Sequence, residues 1–216
     1  MEAVQVKTAL EGWKRQRAST MGSWPVRVLG VRYTAEGAIA MPSWPFLLPA
    51  KARAIEEVRE PLRSQIRAVL HGEAPWPLAL VGDAGAGKTC AALCVCDLTG
   101  GAAYTTASDL CRMVRDGQEG RLTSTVGYVY HDQDVWNGWR QATVAVLDEL
   151  GIREKASDFQ YETAKKAIDE RLENELPLIV VSNLPLQEIA RVYDDRIASR
   201  VGSGTVIECK GDRRIE

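Results

Sequence analysis

The sequence predicts an α/β fold, a parallel sheet flanked by helices, and three observations support this. Strand-length segments recur at Leu78–Val81, Ala102–Thr105, Thr143–Leu147, Pro177–Val181 and Gly204–Glu208. Stretches with helical spacing lie between most of them, and such alternation implies parallel strands joined by crossover helices. The first segment runs into Gly82-Asp83-Ala84-Gly85-Ala86-Gly87-Lys88-Thr89, and the third ends in Asp148-Glu149. Both polar clusters thus fall at the carboxyl ends of strands, where open α/β sheets place their ligands.

The first cluster has the spacing of a phosphate-binding loop: Gly82, four residues, then Gly87-Lys88-Thr89. Glycines at 82, 85 and 87 let backbone N–H groups turn inward around phosphate oxygens without Cβ clashes. Lys88 is placed to reach the β- and γ-phosphates, and the Thr89 hydroxyl to ligate Mg²⁺. The helix that starts here, with Cys90 in its first turn, adds its positive dipole end to the same site. Gly82, Asp83, Ala84, Gly85, Ala86, Gly87, Lys88, Thr89 and Cys90 are therefore the expected nucleotide-binding segment, with ATP and Mg²⁺ as cofactors. Asp148 is the matching candidate for the Mg²⁺ shell. Glu149 is the candidate general base that orients and polarises the attacking water. A glycine-rich turn that binds nothing, or a solvated acidic turn, would explain either cluster alone. Their pairing argues against both.

Composition sets the limits. The chain has 216 residues, enough for one domain and a modest appendage. Charged residues are 26% and hydrophobic ones 45%, with net charge −2. That balance excludes a global electrostatic case for nucleic acid, so DNA contact needs a local patch or several subunits. The cysteines, at 90, 94, 96, 111 and 209, match no zinc spacing and read as small core residues. Their odd count, without a signal peptide, points to a reducing cytoplasm. No apolar run has the length of a membrane span.

Residues 1–50 form a segment of their own, with six basic and three acidic side chains, Trp24-Pro25 and Trp44-Pro45. Val4–Trp13 suits a short amphipathic helix. The segment is either a basic partner-docking arm or a loop that packs its tryptophans onto the domain. Residues 51–216 form the nucleotide domain. Ala50–Leu70 has helical spacing and a break or kink at Pro61. A helix follows the loop to about Leu98, and another runs from Ser108, its N-cap, to about Arg115. Gly117–Gln141 reads as irregular. Its Tyr128, Tyr130, Trp136 and Trp139 either stack on single-stranded bases or pack inward. Ser157–Glu175 is a helix whose capping box is Ser157 with Gln160. Asn183 follows the fourth strand, as a γ-phosphate contact or as a turn residue. Arg191–Val201 reads as one helical stretch with Arg196 and Arg200 on one face. They are either solvated and paired with Asp194 or Asp195, or a finger completing a neighbour's ATP site.

Taken together, five motifs resemble the DnaC-like helicase loaders and the related IstB-type transposition ATPases, a branch of the AAA+ superfamily. They are Gly-Asp-Ala-Gly-Ala-Gly-Lys-Thr, Tyr-Thr-Thr-Ala-Ser-Asp-Leu, Val-Leu-Asp-Glu-Leu-Gly, Val-Val-Ser-Asn-Leu-Pro and Asp-Arg-Ile-Ala-Ser-Arg-Val, in the family's order. The first and third are common to many P-loop ATPases; the last two, with Asp-Glu-Leu-Gly, narrow the resemblance to this branch. The resemblance implies an AAA+ parallel sheet without a separate C-terminal helical lid. It implies that Asn183 senses the γ-phosphate and that Arg200 acts in trans, with Arg196 the second candidate. Arg213 or Arg214 matches a late arginine near phosphate. It also implies a homo-oligomer with ATP at subunit interfaces, acting on single-stranded DNA.

Three functions follow as expectations. The first is a Mg²⁺-dependent ATPase that assembles on DNA and loads a replicative helicase. The second is an IstB-like helper that regulates a transposase or recombinase. The third is a small-molecule kinase, which the Asp148-Glu149 pair disfavours because an activated water leads to hydrolysis.

Overall fold

The computed structural model describes residues 58–99, 102–123, 127–151 and 156–211, and the backbone of residues 31–34 and 37–40. The helix expected at Val4–Trp13, the boundary near residue 50 and Arg213 and Arg214 lie outside the described residues. Within the N-terminal segment, β1 (Val31–Thr34) and β2 (Gly37–Ala40) pair antiparallel, with Val31 opposite Ala40.

Beyond this hairpin the described chain resumes with α1 (Leu62–Leu70), preceded by Pro61 at its N-cap. Next come β3 (Leu78–Gly82), α2 (Lys88–Thr99), β4 (Ala103–Thr106) and α3 (Ala107–Gln118). A small hairpin, β5 (Leu122–Thr123) with β6 (Val129–Tyr130), leads to α4 (Asp132–Gln141) and β7 (Ala145–Asp148). The chain continues through α5 (Asp158–Glu173), β8 (Leu178–Ser182), α6 (Leu186–Val192), α7 (Asp195–Val201) and β9 (Thr205–Cys209). Five strands form one parallel sheet in the order β4-β7-β8-β3-β9. Among the described residues no helical bundle follows β9.

The strands are apolar on both faces, as a covered parallel sheet requires. Their two-residue period divides the core. Leu78, Leu80, Val146 and Ile179 join α1 and α2 in one layer. Ala79, Val81, Leu147, Leu178 and Val180 join α3, α4, α5 and α7 in the other. Cys94, Cys96, Cys111 and Cys209 are buried as expected, and Cys90 is half-buried. Burial pushes the Cys96 thiol up to about 12, which keeps it protonated and inert.

Three elements differ from the sequence reading. Helix α3 starts two residues early, because Thr106 rather than Ser108 is its N-cap: the Thr106 hydroxyl accepts from the Asp109 N–H at 3.0 Å. The stretch expected to be irregular contains α4, whose entry is held by the His131 N–H donating to Asp134 Oδ2 at 2.9 Å. Val135, Trp136 and Trp139 face inward from it, so both tryptophans are core rather than base-stacking groups. Tyr130 is buried too, which leaves Tyr128 as the exposed aromatic of that stretch. The helix expected over Arg191–Val201 is broken at Tyr193-Asp194, because the Asp194 carboxylate accepts from the Ile197 N–H at 2.8 Å and caps α7.

Candidate nucleotide site

The parallel register brings the carboxyl ends of the strands to one edge: Val81 lies opposite Ser182, Gly82 opposite Cys209 and Thr106 opposite Asp148. The phosphate loop leaves β3 at Gly82, where φ is +118°, and a Cβ there would stand 2.3 Å from the Cys209 carbonyl oxygen. Only glycine fits so close to β9. The Asp83 N–H donates to that same carbonyl at 2.9 Å, and the Asp83 carboxylate accepts from the Gly211 N–H at 2.9 Å. The loop is thus tied to the end of β9 before it curls into α2.

Lys88 is buried inside this curl and donates to the carbonyls of Gly82 at 2.9 Å and Asp83 at 2.6 Å. Burial lowers its pKa, against the opposing fields of Cys209, Asp148 and Asp83. Two of its three donors serve the loop, which leaves one for an oxygen entering the curl.

Thr89 links the loop to the acidic strand end, its hydroxyl donating to Asp148 Oδ2 at 2.8 Å. The Tyr104 hydroxyl, from β4, donates to the same oxygen at 2.7 Å, and the Glu149 N–H donates to Oδ1 at 2.7 Å. Asp148 is only 2% exposed, so three donors hold a buried carboxylate in one orientation. Burial first, and then the bond to Asp148, raises the Tyr104 pKa and keeps it a donor. Tyr104→Phe is expected to lower stability by about 1.5 kcal/mol or more, the worth of a hydrogen bond to a charged group. Urea unfolding of the two proteins measures it.

Glu149 follows Asp148 in the left-handed region at φ +57° and is exposed. Desolvation, and then the charges of Asp148 and Asp109, raise its pKa. Asn183 is exposed at the end of β8, the neighbour of both β3 and β7. Gly82–Cys90, Asp148, Glu149 and Asn183 therefore stand at one edge of the sheet.

The arginines stand apart from this cluster. Arg200 on α7 pairs with Asp169 and, at 3.5 Å, with Glu173, both on α5. Its partners are thus not Asp194 or Asp195. Asp194 is engaged as the α7 cap and accepts from the Tyr161 hydroxyl at 2.7 Å. Arg196 is exposed and makes no ion pair among the described residues. No hydrogen bond or ion pair joins either arginine to the phosphate loop or to Asp148 among those residues.

The donor set fits a magnesium nucleotide. Among the described residues no group of three or more His, Cys, Asp or Glu side chains could hold a metal alone. Thr89 and Asp148 offer one hydroxyl and one carboxylate, which suits a cation that takes its other ligands from phosphate and water. Sequence reasoning missed Tyr104, because its contact with Asp148 exists only once β4 is known to lie beside β7.

A parallel sheet in this order, with a glycine-rich loop after its first strand and an acidic pair after its third, has the architecture of the P-loop NTPase fold. No protein-family profile matches the chain. No curated protein matches it either. Solved structures do match. A DNA replication initiation factor aligns over 78% of this chain and 52% of its own, at 18% identity and TM-score 0.63. AMPPCP-bound DnaA from Aquifex aeolicus aligns over 78% of this chain and 53% of its own, at 17% identity and TM-score 0.61. A DnaC helicase loader aligns over 74% of this chain and 95% of its own, at 21% identity and TM-score 0.57. The chain spans about half the length of the first two. At these identities the likeness is one of fold: the chain has the AAA+ fold of replication initiators and helicase loaders. Among the described residues no helix is long and apolar enough to cross a membrane.

Proposed function

We propose that this chain is a Mg²⁺-dependent ATPase of the DnaC-like loader kind, which assembles through subunit contacts on DNA and delivers a replicative helicase. The observation that carries the reading is the Thr89–Asp148 hydrogen bond. It joins the phosphate loop to the strand end that carries Asp148 and Glu149, which supports reading the two segments as one site. In this reading Lys88 and the loop N–H groups bind the phosphates, and Thr89 and Asp148 hold the magnesium shell. That cation neutralises phosphate charge when bound. Glu149 takes the proton of the attacking water, and Asn183 orients that water or the γ-phosphate. The match to almost the whole length of a DnaC loader supports the partner class. A similar DnaA structure contains single-stranded DNA. Tyr128, which is exposed, is this chain's candidate for base stacking.

Arg200 completes a neighbour's site once it leaves Asp169, with Arg196 the second cation of the same helix. The test is the rate of phosphate release per subunit against protein concentration, with and without single-stranded DNA. The rate is expected to rise with concentration. Arg200→Ala is expected to remove at least about tenfold of that rise, a finger's contribution in trans being large. Asp169→Asn, which loses the ion pair but keeps the arginine, is expected to retain it. A constant rate per subunit, together with a fully active Arg200→Ala protein, would overturn the reading. Recovery of a transposase rather than a helicase with the Lys88→Ala protein would replace the loader with the transposition helper.

A further inference from the structure

Ser182 is fully buried at the last position of β8, immediately before Asn183. Its hydroxyl donates to the Leu150 carbonyl at 2.6 Å and accepts from the Leu184 N–H at 3.0 Å. The first bond reaches the turn that carries Glu149. The second closes the turn that carries Asn183. One hydroxyl therefore spans the two segments that hold the proposed base and the proposed sensor.

The surroundings leave these turns little freedom. Leu150 is buried, and its N–H donates to the Val181 carbonyl at 3.0 Å, so β8 grips it at both polar groups. On the other side of Glu149, its own N–H is held by the Asp148 carboxylate. Glu149 is thus pinned at both neighbours in a left-handed conformation that a non-glycine residue adopts only when its surroundings impose it. Gly151 has φ +88°, and a Cβ there would stand 2.8 Å from Leu184 Cδ1, so the two turns also touch through apolar atoms.

We propose that Ser182 is a positioning residue for hydrolysis, which acts by tying the Glu149 turn to the Asn183 turn. The proposal rests on the ATPase reading above and deepens it. Among the described residues the Ser182 hydroxyl bonds only Leu150 and Leu184, neither in the phosphate loop, so its role separates from nucleotide binding. Without its hydroxyl, the Leu150 carbonyl and the Leu184 N–H lose their common partner. Among the described residues the two turns are then joined only by the Leu150–Val181 bond and the Gly151–Leu184 contact. A looser join misplaces reacting groups, where about 1 Å costs about a hundredfold in rate.

The experiment uses the full chain with four residues at position 182: serine, alanine, threonine and valine. Threonine and valine have nearly the same shape, suit a strand, and differ by the hydroxyl alone. Phosphate release with Mg²⁺-ATP gives kcat and KM, equilibrium binding of a fluorescent ATP analogue gives affinity, and hydrogen exchange reads the Leu184 amide. Ser182→Ala and Ser182→Val are expected to lose tenfold or more in kcat, on the order of a small misplacement. Their analogue affinity stays within about twofold of wild type, because the binding loop is untouched. Their Leu184 amide exchanges faster. Ser182→Thr is expected to keep the rate and the protection. Equal rates for the threonine and valine proteins overturn the proposal, as does a rate loss matched by an equal loss of affinity. A wild-type chain that binds the analogue but releases no phosphate overturns the ATPase reading and this role with it. A wild-type chain that hydrolyses ATP as fast as the valine protein does overturns the role of Ser182 alone.

Discussion

Glu149→Gln is expected to reduce ATP hydrolysis by about 10²–10⁴-fold, the range of a lost general base, while nucleotide binding persists. The substitution keeps the shape and removes the proton acceptor. The Glu149 N–H that holds Asp148 Oδ1 belongs to the backbone and is unaffected. Neither Lys88 nor Thr89 touches the Glu149 side chain among their hydrogen bonds, so affinity should stay near wild type. A single-turnover assay beside a binding titration checks both parts. Full activity in the variant would move the base elsewhere in the site. The pH dependence has a defined sign. The folded pKa of Glu149 lies above its ordinary value of 4.5, with desolvation the main cause. Its contribution to stability is therefore fully present below that ordinary value and is lost as pH rises through the folded pKa. Glu149→Gln removes this dependence. The variant should gain relative to wild type toward neutral pH, and thermal unfolding across that range measures it.

Arg171→Met is expected to lower stability by about 3 kcal/mol or more, from about 1–3 kcal/mol for each buried acceptor left without its donor. Arg171 is completely buried on α5. Its guanidinium donates to the carbonyls of Trp139 at 2.9 Å, Ala142 at 3.0 Å and Pro177 at 2.6 Å. Those carbonyls lie at the end of α4, just before β7 and just before β8, so one side chain joins the entries of two central strands to a helix. Methionine keeps the apolar stem and removes the donors. A lysine presents its donors on one nitrogen instead of a planar fork, so it cannot span carbonyls that Arg171 reaches with Nη1 and Nη2 separately. Both variants should melt earlier, by about 10 °C for a loss of this size in a domain of this length. Unchanged melting in Arg171→Met would show that the clamp contributes nothing. Arg171 binds at the amino-terminal entries of β7 and β8, whereas the phosphate loop leaves the carboxyl end of β3, so its loss should act on stability without altering the affinity of the folded fraction.

How much of this was legible in the sequence differs from element to element. The turn at the glycine-rich loop was legible, because glycine freedom is a local property of Gly82–Thr89: Gly82, Gly85 and Gly87 all take positive φ and the helix starts at Lys88. The Ser157–Gln160 box at the start of α5 was legible for the same reason, and both its hydrogen bonds are present. Helix α4 was not. Trp136 and Trp139 among charged neighbours resemble an exposed stacking surface, and only their burial against α5 reveals core residues. The break at Tyr193-Asp194 was hidden by helical spacing that continues across it. Asp194 prefers to cap α7 rather than extend α6.

Arg171 gave no signal at all, since a lone arginine in a charged helix reads as solvated. Tyr104 and Ser182 lay within two of the five motifs but had no role of their own in the sequence, Tyr104 in the second strand and Ser182 just past the fourth.

The sequence by itself determined the α/β class and the glycine-rich loop after the first strand, and it singled out Lys88, Thr89, Asp148 and Glu149 as candidates, because each depends on backbone turns and side-chain types within a few positions. The tertiary structure decided what surrounds them. By setting β7 between β4 and β8, it delivers Tyr104 to Asp148 and Ser182 to Leu150. By packing α7 on α5, it occupies Arg200 with Asp169. Those contacts join residues 31 to 44 positions apart. They exist only where strand order and helix packing set the distance, and no local pattern encodes either one.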